Sequence, residues 1–115
     1  MPKKRKLKRV HLIYYLLVFD NNTDKLIGHI VDISTKGIKL MSREEITPGE
    51  IYNIKMILPE GIEESSREVF FEAKCVWCKS RMYSDFYGSG FEYHSIGEDY
   101  AQIIKRLIDQ FGYIE

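Results

Sequence analysis

The sequence predicts an all-β fold, a barrel or sandwich of six short strands followed by one C-terminal helix. Three observations carry this prediction. Apolar residues recur with period two in short runs, polar or Gly/Pro-containing segments separate those runs closely, and helical spacing sets in only near residue 96. At 115 residues the chain has room for one hydrophobic core and little for a second, so a separate catalytic domain is not expected. The hydrophobic share of 44% and aromatic share of 13% belong to an ordered protein rather than a disordered one.

The strands are expected at about 11–19, 26–34, 37–42, 51–58, 67–78 and 87–94. The first, Leu12 to Phe19, follows a basic stretch as a secretory leader would. It is short, holds two tyrosines and runs into Asp20-Asn21-Asn22-Thr23-Asp24-Lys25 without a small-residue cleavage site, so it reads as a strand and the protein as cytoplasmic. No run is long enough to span a membrane. Asp20 to Lys25 reads as a polar hairpin, Thr47-Pro48-Gly49 as a turn, and Pro59 to Ser66 as an acidic loop expected to be mobile. Residues 79–86 are expected to form another polar connection. A helix over about 96–112 follows from Tyr100, Ile103, Ile104, Leu107, Ile108 and Phe111 on one face. Ser95 is its expected N-cap, with Glu98 completing a capping box and Gly112 a stop.

Charge is balanced overall, 17 basic against 17 acidic residues, but unevenly distributed. Lys3, Lys4, Arg5, Lys6, Lys8 and Arg9 are all basic, and without these six the body carries eleven basic against seventeen acidic residues, a formal charge of −6. A general nucleic-acid binder usually has a basic face on its folded body as well, so the pattern favours a compact anion. Residues 1–10 form a basic N-terminal arm, expected to be mobile without ligand, and residues 11–115 the barrel with its helix.

Two motifs stand at strand edges. Arg5 and Arg9, in RxxxR spacing, offer planar forks suited to phosphate oxygens or to the O6/N7 edge of guanine. In Asp32-Ile33-Ser34-Thr35-Lys36-Gly37, a strand would turn Asp32 and Ser34 to one side and Ile33 to the other, with Gly37 permitting close backbone approach. Ionised Asp32 can accept from guanine N1–H and N2–H2, and Ser34 can donate or accept. Lys4 and Lys8 are possible supporting contacts through their positive field.

RxxxR followed by DxSxxG resembles the PilZ domain, a bacterial receptor for the second messenger cyclic di-GMP. Pro48-Gly49-Glu50, Cys75-Val76-Trp77 and Gly90-Phe91-Glu92-Tyr93 extend the resemblance along nearly the whole chain. It implies a six-stranded antiparallel PilZ-like β-barrel with a C-terminal α-helix. Arg5 and Arg9 would contact phosphate and guanine, with Asp32, Ser34 and Gly37 lining the other side of the site. It also implies a receptor rather than an enzyme, with cyclic di-GMP as ligand, no cofactor, and outputs such as motility and biofilm formation through a downstream protein partner. Ordering Arg5 through Arg9 would cost on the order of 5 kcal/mol, at about 1 kcal/mol per backbone position. Two bidentate contacts of roughly 1–3 kcal/mol each would offset much of it, making ligand-driven ordering of the arm a feasible signal.

Taken singly, each motif has a plainer reading: the arm as a solvated tail or localisation signal, and Asp32 to Gly37 as a simple turn. Their joint occurrence favours the receptor. The alternatives are a small β-barrel nucleic-acid binder using the basic arm, and a PilZ-like adaptor that does not depend on ligand. Cys75 and Cys78 form a lone CxxC without a second ligand pair, expected to be reduced and to face opposite sides of a strand. His11, His29 and His94 are isolated, with His11 and His29 able to flank the site, and Trp77 is expected in the core. No nucleophile elbow, phosphate-binding loop, HExxH or paired-carboxylate motif is present.

Overall fold

A computed structural model of the chain describes residues 10–59 and 67–114. The strands are β1 (Val10–Asp20), β2 (Leu26–Ile33), β3 (Gly37–Ser42), β4 (Ile51–Ile57), β5 (Glu68–Tyr83) and β6 (Phe86–Ser95). They pair antiparallel in the ring β1-β2-β3-β6-β5-β4, and β4 returns to β1 through Val18–Met56, Phe19–Lys55 and Asp20–Ile54, closing the expected six-stranded barrel. Closure joins the two ends of the sheet, and among the described residues β5 beyond Lys74 is paired by β6 but not by β4. The helix α1 (Glu98–Phe111) follows, and then a short strand β7 (Gly112–Ile114) antiparallel to Val10–Leu12 of β1. Gly112 therefore opens a strand as well as ending a helix.

Alternation decides what fills the barrel. Ile38 and Leu40 of β3, Ile54 and Met56 of β4, and Val69, Phe71, Ala73 and Cys75 of β5 point inward and are buried. Tyr100, Ile103, Ile104 and Leu107 of α1 join the same core, so the helix packs on the barrel with its apolar stripe. Ser95 does not cap this helix. It is the last residue of β6, opposite Glu72, and the carbonyl of Gly97 accepts the Ala101 N–H at 3.2 Å. The demand of the β5–β6 ladder outweighs the local capping signal.

The β5–β6 hairpin is longer than its sequence predicts. Residues 79–83, expected as part of a connection, continue β5 and pair with β6 at Lys79–Gly88 and Tyr83–Phe86, leaving Ser84 and Asp85 as the turn. Their polar side chains hide the strand because this ribbon extends past β4, which pairs only as far as Lys74, and Lys79, Ser80 and Arg81 remain exposed. Arg81 and Ser84 take φ of 54° and 61°, one at a bulge and one in the turn. A second register shift, between Cys75 and Trp77, overturns the expected facing of the cysteines. With the alternation reset, Cys75 lies in the core and Cys78 packs against it. Both are free thiols, and burial pushes Cys75 up to about 11.

Candidate functional site

The Asp32–Gly37 segment is the connection between β2 and β3. The strand ends at Ile33, so Ser34 is not the strand neighbour of Asp32 that alternation suggests. Its hydroxyl is engaged inside the turn, accepting from the N–H groups of Lys36 and Gly37, both at 3.2 Å. The Ser34 N–H donates to the Gly37 carbonyl at 2.9 Å. This is a side-chain-closed turn, in which a short hydroxyl accepts from two backbone N–H groups of the turn. Gly37 is required by the sheet, since a Cβ there would stand 2.0 Å from the Phe91 carbonyl oxygen of β6.

From β6, Tyr93 fastens the turn twice. Its backbone N–H donates to the Lys36 carbonyl at 3.0 Å, and its hydroxyl to the Ser34 carbonyl at 3.1 Å. Tyr100 of α1 in turn directs its hydroxyl to that of Tyr93 at 3.4 Å, and its ring stacks on Phe71 at 4.5 Å. Burial raises the pKa of both phenols, so they remain neutral donors across the physiological range.

Asp32 itself lies on the outer face of the barrel, opposite Lys39 of β3. Successive cross-strand partners continue the row: Lys39 faces Gly90 of β6, and Gly90 faces Trp77 of β5. The Lys39 ammonium is 3.4 Å from Asp32 Oδ2 and 5.9 Å from the centre of the Trp77 ring, and the Lys79 ammonium is 5.7 Å from that ring. Trp77 is thus outside the core in which its apolar surroundings place it. The bulge at Cys75–Trp77 turns it outward, and its indole lies across Gly90, where a Cβ would be 2.3 Å from Nε1. Carboxylate, ammonium and indole make one band across β2, β3, β6 and β5.

The first motif lies outside the described residues, as do Lys4, Arg5, Lys8 and Arg9. The point where the arm joins the barrel is defined. Val10 pairs with Ile33 and His11 with Asp32, so the first described residues lie beside the second motif. Of the other histidines, His29 pairs with Leu17 and Met41 and lines a separate cleft of about 460 Å³ at the opposite end of the β2–β3 ribbon. Among the described residues, no cluster of three or more His, Cys, Asp or Glu is placed to hold a metal.

Lys39 carries no motif signal, and Tyr93 stood in the sequence only as part of Gly90-Phe91-Glu92-Tyr93, with no role at the turn. Lys39 was legible only through register, as the outward residue between inward Ile38 and Leu40 once the Ser34–Gly37 turn sets the hairpin.

A closed six-stranded antiparallel barrel with a helix packed against it, and a side-chain-closed turn at one end of the β2–β3 ribbon, defines a class of small β-barrel domains. The PilZ domain family matches residues 3–110, and the chain belongs to that family. The fold is shared with the PilZ domain with c-di-GMP of YcgR from Escherichia coli, at TM-score 0.72 and 11% identity, covering 95% of this chain and 92% of that one. The Bacillus subtilis inhibitor of motility MotI/DgrA is similar at TM-score 0.70 and 20% identity, with 95% of this chain and 52% of that one covered. The K. pneumonia MrkH–c-di-GMP complex follows at TM-score 0.68 and 16% identity, with 94% and 52% covered. A search of curated proteins by sequence finds no match.

Proposed function

We propose that this protein is a cytoplasmic receptor for cyclic di-GMP, not an enzyme, and that it binds the dinucleotide between the outer face at Asp32 and the basic arm. The observation that carries the reading is the pairing of Val10 with Ile33 and of His11 with Asp32. Val10, the residue that follows the RxxxR motif in sequence, thus pairs beside the DxSxxG turn although the motifs are more than twenty residues apart in sequence. Solved PilZ structures that hold c-di-GMP support the ligand class.

In this reading Asp32 accepts from the N1–H and N2–H2 of one guanine, and Arg5 and Arg9 grip phosphate and the guanine O6/N7 edge. Lys4 and Lys8 add attraction. Ser34 and Gly37 hold the turn that presents Asp32 beside the arm. Ligand binding orders the arm over the barrel face and alters the surface shown to a downstream protein partner. Likeness to an inhibitor of motility makes motility, and with it biofilm formation, the output to examine first.

Calorimetry of the wild-type protein with cyclic di-GMP, with Arg9→Ala and Asp32→Ala alongside and cyclic di-AMP as control, tests the reading. Saturable binding of cyclic di-GMP alone, lost in both variants, supports the two-sided site. A folded wild-type protein that gives no heat sinks it.

A further inference from the structure

The Asp32 carboxylate has a cation against it. Lys39 reaches it at 3.4 Å, with side chains only 15% and 8% exposed, and the same ammonium lies over Trp77. A guanine that presents N1–H and N2–H2 to the two carboxylate oxygens of Asp32 needs Oδ2, the oxygen this ammonium approaches. A base lying along the band toward Trp77 needs the same ring face cleared. We infer that Lys39 is an internal competitor for the site, a latch that must withdraw from Asp32 before a guanine edge can pair there; the inference rests on the receptor reading above.

The argument is one of linkage. If only the open conformation accepts ligand, the apparent affinity falls by the fraction of molecules that are open. A shielded ion pair backed by a cation–π contact keeps that fraction well below one. The latch therefore sets the ligand concentration at which the receptor responds, without touching the ligand in its bound state. It also acts on specificity, because a ligand edge without paired donors gives Asp32 nothing in exchange for the ammonium.

The nature of the residue at position 39 makes the test directional. Lys39→Met keeps the length of the side chain and removes the charge, while Lys39→Arg can close a bidentate fork on the carboxylate. The dissociation constant for cyclic di-GMP is expected to fall roughly threefold to tenfold in Lys39→Met and to rise in Lys39→Arg. Trp77 is the only tryptophan in the chain, so its emission reports on the same ammonium. Ligand-free Lys39→Met should shift toward the emission of the ligand-bound wild type.

Calorimetry and Trp77 fluorescence on the full chain decide it. Equal or weaker binding by Lys39→Met overturns the latch and makes Lys39 a bystander or a direct ligand contact. Should that variant fail to fold, Lys39→Arg decides alone: weaker binding sustains the latch, and unchanged or tighter binding overturns it. Absence of binding by wild type and both variants removes the receptor reading and the latch together, a result distinct from wild-type binding that is indifferent to residue 39.

Discussion

Lys39 and Lys55 stand on different parts of the barrel's outer face in nearly the same chemistry, an ammonium beside carboxylate and over an aromatic ring. Lys39 has Asp32 and Trp77, whereas Lys55 has Asp24, Glu68 and Phe19, whose ring centre is 5.3 Å away. The two lysines are almost equally shielded, at 15% and 17% exposure. Their carboxylates are not: Asp32 is 8% exposed, against 76% for Asp24 and 50% for Glu68. What separates a candidate site from a surface pair is the solvation of the anion. Water already competes for Asp24, while a donor arriving at Asp32 exchanges with protein groups in a region of lower dielectric, where each hydrogen bond counts for more.

Breaking the frame around Asp32 should have the largest effect. Gly37→Ala forces a Cβ against a β6 carbonyl that belongs to the sheet ladder and cannot swing aside. Denaturant unfolding should show a loss of about 3 kcal/mol, within the range of severe backbone and packing defects. Gly90→Ala meets the Trp77 side chain instead, which can rotate, so it should cost less stability while altering Trp77 emission. Full stability in Gly37→Ala would mean that the β2–β3 turn is not held by the close approach to β6.

Next comes the contrast between the carboxylates. Asp32→Asn removes a charged acceptor and should weaken cyclic di-GMP binding by about 2–3 kcal/mol, the scale of a hydrogen bond to a charged group. Asp24→Asn should leave affinity unaltered. Calorimetry on both would dissolve the distinction if the two variants lost affinity equally.

These contrasts also show what was readable in the chain. β3 was legible because Gly37–Ser42 alternates cleanly and begins at a turn glycine. The barrel and helix followed from the same periodicities. Bulges were not legible: nothing in Cys75-Val76-Trp77-Cys78 announces a reset of alternation, and that reset puts both cysteines inward and Trp77 outward. β7 was missed because three residues carry no period. Asp32, Ser34 and Gly37 were found by their motif, but their division of labour was not, because it depends on the Ser34 hydroxyl bonding within the turn. Lys39, and the role of Tyr93 at the turn, become visible only when strands remote in sequence are laid side by side.

A smaller effect should appear at the support of the turn. Tyr93→Phe removes the hydroxyl bond to Ser34 O and the acceptor for Tyr100, so about 1 kcal/mol of stability should be lost with a modest fall in ligand affinity. Alkaline pH probes the same cluster. Cys75, Tyr93 and Tyr100 all have folded pKa values raised by burial, with Cys75 near 11. An unfolded chain releases these protons from about pH 8.5 to 10, while the folded one retains them. Their contribution is therefore complete below the unfolded values and lost as pH climbs toward the folded ones. The melting temperature should decline from about pH 9 upward, and a level profile to about pH 11 would contradict the burial of these groups.

The smallest effect is expected at Lys55, which makes it the control for Lys39. The hydrogen bond to Asp24 raises its pKa, yet the partners it engages remain open to solvent. Lys55→Met should leave cyclic di-GMP affinity unchanged and move stability little, because water takes over what the ammonium gave the exposed carboxylates. Raising salt should likewise leave Lys55→Met and wild type closely matched, since the lost pair is already screened. If Lys55→Met tightened ligand binding as Lys39→Met is expected to, the effect of removing a lysine would be one of net charge on the whole barrel. If only position 39 responds, the effect belongs to the shielded carboxylate beside the DxSxxG turn.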